Sequence, residues 1–240
     1  AQFRDWFLDR GMNINSVKRI FASVRSIINL NIREYGLEGS NAFSGTYMPN
    51  RFDAPKRRAI PDEILGIIQK TCQASDDEAR WLIALISDTG MRLSEAVGLS
   101  KEDIFLNHEV PYVDIRPHQW RRLKTSGSQR KVPLAGIALW AARRAYEASN
   151  SHYLFPRYCD GKRAHSNSAS AALNKWLKQL AGSEYVIHSF RHSMRDRLRA
   201  VNCPSDMIDQ IGGWSQRSVG EGYGEGYPLD LLAKNCALLV

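Results

Sequence analysis

The sequence has few cysteines, and no two of them have the spacing of a metal-binding or redox pair. Four cysteines are scattered along 240 residues, without C-x-x-C spacing or neighbouring histidine clusters: Cys72, Cys159, Cys203 and Cys236. This scatter argues against a structural zinc site or a disulfide framework, and it indicates a reducing compartment.

The sequence also lacks any apolar run near the roughly 18 residues that span a bilayer. Its first residues, AQFRDWFLDR, do not resemble a secretory signal, so we expect a soluble, cytoplasmic protein. The chain starts without methionine and within an amphipathic segment. We therefore expect that an upstream part has been removed.

Acidic residues are scarce relative to basic ones. The 33 Lys and Arg against 25 Asp and Glu leave a net charge of +8 and an isoelectric point near 9.4. This balance favours a polyanionic partner such as nucleic acid, although an ordinary basic enzyme can have the same composition. With 43% hydrophobic residues the chain can bury a sizeable core, as one large domain or as one domain with a smaller appendage.

Apolar spacing predicts a mainly α fold with a small antiparallel β-sheet, an α+β architecture. Two N-terminal helices over 3–8 and 17–32 are too few to close a core of their own. The segment 37–59, with its Gly, Ser, Asn and Pro, is typical of a connecting loop. We place a boundary near residue 55, which gives domains 1–54 and 55–240.

The second domain begins with a Pro-Asp helix start at Pro61 and Asp62. EARWLIALISDTG, residues 78–90, is apolar on most faces, as a central buried helix should be. DIFL, VPYVDI and RKVPL predict three short strands, because branched residues dominate them and turn-like segments separate them. From Ile137 onward the pattern is helical again.

HSFRHSMRDRLRAV predicts an amphipathic helix whose basic side carries five residues: His188, Arg191, His192, Arg195 and Arg199. A solvated basic face is the simplest interpretation. The two histidines, and the positive end of the helix dipole at His188, favour a phosphate site instead. The H-x-x-x-H spacing also allows zinc, but it lacks the glutamate of H-E-x-x-H and a clear third ligand, so we predict no metal site.

Two further segments carry candidate cations. Arg92 follows a turn glycine, and Glu95 lies one helical turn later. They form either an ordinary exposed ion pair or a guanidinium that the carboxylate orients toward phosphate. WRRLKTSGSQRKVPL has the pattern of a basic hairpin in which Lys124 and Arg130 flank a Ser-Gly turn. It is either a solvated loop or a finger that contacts a nucleic-acid backbone.

Taken in order, TGMRLSEAVGLSKEDI, LKTSGSQRKVPL, HSFRH and GGWSQRSVGEGY resemble the motifs of the tyrosine recombinase (phage integrase) catalytic domain. That family has an arginine in T-G-x-R-x-x-E, a lysine in a β-hairpin, and H-x-x-R. A later His or Trp precedes a tyrosine by nine residues. The resemblance covers residues 60 to 227 approximately.

The resemblance implies a role for each matching residue. Arg92 and Arg191 match the pair that binds the non-bridging oxygens of the scissile phosphate. Lys124 matches the general acid for the leaving 5′ oxygen. His188 matches the histidine that assists proton movement and hydrogen-bonds the phosphate.

Two more residues match the last motif: Trp214 at the His/Trp position and Tyr223, nine residues on, as the nucleophile. Glu95 fits the supporting carboxylate, and we also predict a supporting role for His192. Five further basic residues of the hairpin and helix are expected to contact DNA: Arg121, Arg122, Arg130, Lys131 and Arg195.

The resemblance implies a site-specific DNA recombinase that integrates and excises a mobile element through a 3′-phosphotyrosyl intermediate, without a metal or nucleotide cofactor. Two alternatives stay open: topoisomerase-like nicking and closing by the same residues, or a DNA-binding module whose catalytic residues are not used. The expected partners are double-stranded DNA attachment sites and accessory DNA-bending proteins. If the source is bacterial or phage-derived, we expect association with the nucleoid.

The two ends of the chain differ from the rest of this resemblance. Residues 1–54 match only the final helices of the family's N-terminal core-binding domain, so we interpret them as its remnant plus a linker. The last helix, PLDLLAKNCALLV, is apolar enough to dock on a neighbouring copy and build a homotetramer on DNA, or to pack in cis.

The repeat GEGYGEGY contains two tyrosines, which the spacing distinguishes. The distance from Trp214 selects Tyr223 as the nucleophile, whereas Tyr227 precedes Pro228 and is predicted to be a packing or hinge residue. Four glycines in eight residues disfavour a stable helix here, which suits a nucleophile that is withheld until partners assemble.

Overall fold

The computed structural model describes residues 1–50, 58–214 and 226–240. It divides into two compact units, Ala1–Lys56 and Arg57–Val240. None of the helices within the described ranges is long and apolar enough to cross a membrane. That the first unit is the remnant of a core-binding domain stays a prediction.

The first unit contains the two helices that the sequence predicts, α1 (Gln2–Asp9) and α2 (Ile14–Tyr35). The side chain of Asn13 accepts a hydrogen bond from the amide of Asn15 at the start of α2. Apolar side chains of both helices meet an aromatic residue of the following loop: Phe3 lies 5.5 Å from Phe21 and 5.9 Å from Phe43, between ring centroids. The buried part of this unit is small.

The second unit is mainly helical, with one small sheet after its third helix. Its helices are α3 (Asp62–Ser75), α4 (Glu78–Thr89), α5 (Leu93–Val97), α6 (Gly136–Ala148), α7 (Ser166–Ala181), α8 (Ser189–Ala200), α9 (Ser205–Gly212) and α10 (Leu229–Ala237). Two short 3-10 turns, Lys101–Asp103 and Ser126–Ser128, lie on either side of the second strand. This arrangement confirms the predicted fold class.

Helix α4 is the centre of the second unit. Every residue from Trp81 to Thr89 is buried, and α3, α6 and α8 pack around the helix. The side chain of Asp77 accepts from the amide of Arg80 at its start, and Gly90 ends it in the left-handed conformation with a φ of 60°. Gly90 thereby fixes where the chain enters the candidate active site.

The sheet is antiparallel, in the order β1 (Ile104–Phe105), β2 (Tyr112–Ile115) and β3 (Arg130–Pro133). Val113 pairs with Val132, and both are buried against the helices. The same register pairs Ile115 with Arg130, which turns the Arg130 side chain to the buried face. The connection between β2 and β3 carries Lys124.

Helix α10 packs against β3 of its own chain. Leu232 and Cys236 are buried in the core, and Arg197 Nη2 donates to the carbonyl of Leu239 at 2.6 Å. The sequence left open whether this helix packs in cis or in trans. In this structure it packs in cis, because its apolar face completes the core beside the sheet.

Candidate active site

Arg92 lies at the start of α5, two residues after the glycine that ends α4. Its guanidinium reaches three parts of the fold. Nη1 donates to Glu95 Oε1 at 2.5 Å and to Ser128 Oγ at 3.2 Å, and Nη2 donates to the carbonyl of Gly213 at 2.8 Å. Arg92 therefore joins α5, the connection before β3 and the end of α9.

Glu95 is buried, with only 2% of its surface exposed. Besides Arg92, it accepts from Arg130, whose Nη2 lies 3.0 Å from Oε2. Burial raises the pKa of Glu95, but the charge and hydrogen bonds of Arg130, together with the hydrogen bonds of Arg92, outweigh burial and leave the pKa below its usual value. Of the two sequence interpretations, the exposed ion pair is wrong, because Glu95 is buried. That the carboxylate orients Arg92 toward a phosphate stays a prediction.

Arg191 is buried on α8, although the sequence placed it on a basic face. Its Nη1 donates to the carbonyl of Gly90, and its Nη2 donates to the carbonyl of Gly212 at 2.9 Å. Burial, followed by the positive charge of Arg92, lowers the pKa of Arg191 to about 9. The interpretation of this residue as part of a solvated face is wrong, because backbone carbonyls replace water around its guanidinium.

Trp214 follows the end of α9 and lies against two arginines. The guanidinium carbons of Arg191 and Arg195 lie 4.6 Å and 4.9 Å from the centroid of its ring. Arg195 also forms an ion pair with Asp209 at 2.9 Å. These contacts fix Trp214 beside Arg191.

His188 lies at the N-terminus of α8, one turn before Arg191, and its ring is exposed. The ring centroid of His192 lies 5.5 Å away, with an interplanar angle of 72°. Among the described residues, no group of three or more His, Cys, Asp or Glu side chains is placed to hold a metal ion.

Lys124 is exposed on the connection between β2 and β3. The predicted nucleophile, Tyr223, lies outside the described residues. Tyr227 is described: its hydroxyl donates to Asp206 at 2.7 Å, and its backbone exchanges hydrogen bonds with Gln210. The hydrogen bond to Asp206 raises the pKa of Tyr227, which makes this hydroxyl a poorer nucleophile.

The structure corrects two of the predicted DNA contacts, because Arg121 and Arg130 are buried with 2% and 8% of their surfaces exposed. Arg130 donates to Glu95 and to the carbonyls of Ile211 and Ser128. Arg121 donates to the carbonyls of Glu95 and Arg116, and to Asp103. Neither guanidinium can reach a DNA backbone while it makes these bonds.

The other three predicted DNA contacts stay predictions. Arg122 and Lys131 are exposed, and Arg195 is partly exposed beside its ion pair. Sequence reasoning missed the role of Arg130 as a second cation on Glu95. The alternation of Arg130, Lys131 and Val132 along a strand could have indicated it, because residues two apart point to the same face.

The region that contains the candidate site is similar to known proteins of one family. The model of the phage integrase family matches residues 58–225. Tyrosine recombinase XerC of Chlorobaculum parvum is 23% identical over 92% of this chain and 72% of its own length. Across the curated relatives that it matches, the chain spans 47% to 72% of their length.

Solved integrase structures share the fold. The Tn1549 transposon integrase in complex with transposon right end DNA matches with a TM-score of 0.60 and 17% identity, over 97% of this chain and 81% of that one. A λ integrase tetramer bound to a Holliday junction matches with a TM-score of 0.64 and 16% identity, over 91% of this chain and 61% of that one.

Proposed function

The chain belongs to the phage integrase family, and from this premise we propose that it cleaves and rejoins DNA strands at a specific site. One observation carries the proposal. Arg92 and Arg191, which lie far apart in the sequence, donate to the consecutive carbonyls of Gly213 and Gly212. Two guanidinium groups on neighbouring carbonyls bring two positive charges together, and guanidinium is the side chain best suited to bind a phosphate group.

The charge balance of this site supports an anionic ligand. Among the described residues of the site, Arg92 and Arg130 share the one buried carboxylate of Glu95, and Arg191 interacts with it electrostatically. A phosphate would supply the negative charge that these arginines lack. Because such interactions are strong in a partly dry site, they stabilise the charge that develops on phosphorus during transfer.

The proposed reaction is a phosphoryl transfer to tyrosine. The hydroxyl of Tyr223 gives its proton to His188 as its oxygen attacks the scissile phosphorus. The bond from phosphorus to the 5′ oxygen breaks, and Lys124 donates a proton to that oxygen. The product is a 3′-phosphotyrosyl link and a free 5′ hydroxyl. His188 assists proton movement, and the indole N–H of Trp214 donates to a phosphate oxygen.

We further propose that this reaction requires no metal or other cofactor, since two arginines and a lysine provide the positive charge that a metal provides elsewhere. The proposed partners are DNA attachment sites, further copies of the chain and accessory bending proteins. Solved relatives bound to transposon end DNA and to a Holliday junction support the DNA partner and a tetramer. The proposed role of the protein is to integrate and excise a mobile element, in the cytoplasm or in association with the nucleoid.

Trapping the covalent intermediate tests the proposal. A randomised library of nicked suicide duplexes is incubated with the protein in EDTA, and DNA that stays attached after denaturation is recovered and sequenced. We expect adducts with a shared sequence, none of them from Tyr223→Phe, and normal retarded complexes from both proteins. Salt-sensitive binding without any adduct would instead favour a DNA-binding module. Supercoil relaxation without recombinants would favour a topoisomerase-like enzyme.

A further inference from the structure

The lysine loop, residues 116–129 between β2 and β3, carries Lys124 at an exposed position. One residue before this lysine and one after it are buried: Arg121 and Ser128. Exposed loops seldom bury a charged residue, since removing its charge from water costs free energy unless partners compensate for it. The partners of Arg121 and Ser128 therefore indicate what the loop is built to do.

Arg121 is bound through both ends of its guanidinium. Nη1 donates to the carbonyl of Glu95 at 2.9 Å, and Nη2 donates to the carbonyl of Arg116 at 2.6 Å and to Asp103 Oδ2 at 3.3 Å. The backbone of Gly98 lies so close that a Cβ there would come within 2.7 Å of Arg121 Cδ. The side chain is thus fixed between α5 and the turn that precedes β1.

Asp103 is fully buried and binds side chains from the first part of the lysine loop. It accepts from Arg116 Nε at 3.0 Å and from His118 Nε2 at 2.8 Å, in addition to Arg121, and it caps the amide of Ser100 at 3.0 Å. Three side chains of the loop thus converge on one carboxylate. Buried ion pairs contribute little net stability but define geometry strictly, so this cluster fits a positioning role.

Ser128 fixes the other side of the loop. Its hydroxyl lies 3.2 Å from Arg92 Nη1, its amide donates to the carbonyl of Thr125 at 3.0 Å, and its carbonyl accepts from Arg130 Nη1 at 2.8 Å. Both sides of the loop are therefore bound to the same short segment, Arg92 through Glu95. Three residues of extended chain span at most about 11 Å, so Lys124 stays near the arginines that the proposed reaction uses.

We propose that Arg121, held in place by Asp103, is a positioning residue for Lys124, which it keeps within reach of the leaving 5′ oxygen. The inference rests on the proposed function, in which the Lys124 ammonium gives its proton to that oxygen as the bond to phosphorus breaks. Arg121 does not contact DNA. Its loss should slow only the step that needs the lysine proton.

A sulfur leaving group separates this role from a general structural one. A 5′ thiol has a pKa near ~8.5, far below the pKa of a 5′ hydroxyl, so the thiolate leaves without a proton donor. The substrate is the duplex recovered in the trapping experiment, made with oxygen or with sulfur at the 5′ bridging position. Single-turnover cleavage of both is measured for the full chain, at a temperature where every variant is folded by circular dichroism.

We expect Arg121→Met and Asp103→Asn to cleave the oxygen substrate roughly 10- to 100-fold more slowly than the unmodified protein, because small misplacements of a catalytic group cost that much. On the sulfur substrate both variants should approach the unmodified rate. Arg121→Lys, which keeps a cation near Asp103, should recover part of the oxygen rate. Equal defects on the two substrates would overturn the inference.

Two control variants distinguish failure of the positioning role from failure of the proposed function. Lys124→Ala should lose cleavage of the oxygen substrate and regain it with sulfur, whereas Arg92→Lys should be slow on both. If Lys124→Ala is not restored by sulfur, the general-acid assignment is wrong and the inference is wrong with it. If Lys124→Ala is restored while Arg121→Met is not, only the positioning role is wrong.

Discussion

Glu95 organises the candidate site, because one residue binds three arginines. Its carboxylate accepts from Arg92 and Arg130, and its carbonyl accepts from Arg121. The lowered pKa of Glu95 means that the carboxylate is more acidic in the folded chain than in the unfolded one. Folding and ionisation of this residue are therefore linked.

Glu95→Gln should lower the free energy of unfolding by about 3 kcal/mol at pH 7, because it leaves a buried arginine without its counter-charge. The stabilisation by Glu95 is fully present above its unfolded pKa, near ~4.3, and is lost as the pH falls through its lower folded pKa. The difference between the two proteins should therefore shrink in acid. Urea unfolding at pH 7 and in a series below pH 4.5 measures it, and a difference independent of pH would contradict the linkage.

The two tyrosines of the repeat should respond differently to loss of the hydroxyl. Tyr223→Phe should abolish the covalent adduct and leave DNA binding unchanged, since the phosphate contacts come from other residues. Tyr227→Phe should retain cleavage, because its hydroxyl is bound to Asp206. Adduct formation on the suicide duplex, with retardation assays beside it, measures both. Loss of the adduct from Tyr227→Phe alone would reverse the assignment.

At the scale of elements, the end of α9 forms one wall of the site. Gly213 ends the helix in the left-handed conformation with a φ of 61°. Its carbonyl accepts from Arg92, and a Cβ at this position would lie 2.5 Å from Arg130 Nη1. A glycine is required here because both the backbone angle and the buried arginine exclude a side chain.

Gly213→Ala should lower the free energy of unfolding by at least about 1–2 kcal/mol, the cost of left-handed backbone for a residue with a Cβ, and should also reduce adduct formation. Gly66→Ala is the matched control. Gly66 lies within α3 with nothing near its Cβ position, so alanine should stabilise the fold by about 0.5–1 kcal/mol. Thermal and urea unfolding measure both; a neutral Gly213→Ala would contradict the packing.

At the scale of the whole molecule, the C-terminal helix belongs to the core of the second unit. Leu232 is 1% exposed, and Leu238, on the same segment, is 63% exposed. The proposed tetramer would therefore need either other surfaces or release of α10 from its own β3. The sequence could not choose between these arrangements, because the apolar pattern of the helix is the same in cis and in trans.

Leu232→Ala should lower the free energy of unfolding by about 2–4 kcal/mol, because it leaves a cavity in the core. Leu238→Ala should change it by less than about 0.5 kcal/mol. If α10 packs in cis, the unfolding midpoint of the unmodified chain should not depend on protein concentration, and equilibrium unfolding over a hundredfold range of concentration tests this. A midpoint that rises with concentration would indicate docking between copies.

The sequence by itself determined the helices, the strands and the family. Apolar periodicity and the content of branched residues are local properties, so they predicted the central helix, the three strands and the basic helix that begins near His188. Motif order identified the family because reaction chemistry restricts which residue types occur at each position. The family model matches this same region. The roles assigned to individual site residues, those of Lys124 and Tyr223 among them, remain predictions.

Only the tertiary structure decided which arginines face solvent. In the sequence, Arg121 and Arg130 have the pattern of basic loop residues that contact solvent or DNA. They are buried because their partners, Asp103 and Glu95, lie 18 and 35 residues away in the sequence. Arg191 is buried for a similar reason, since the carbonyls of Gly90 and Gly212 reach it from two other elements. The sequence determines the charge of a side chain, but its exposure depends on which distant residues pack around it in the fold.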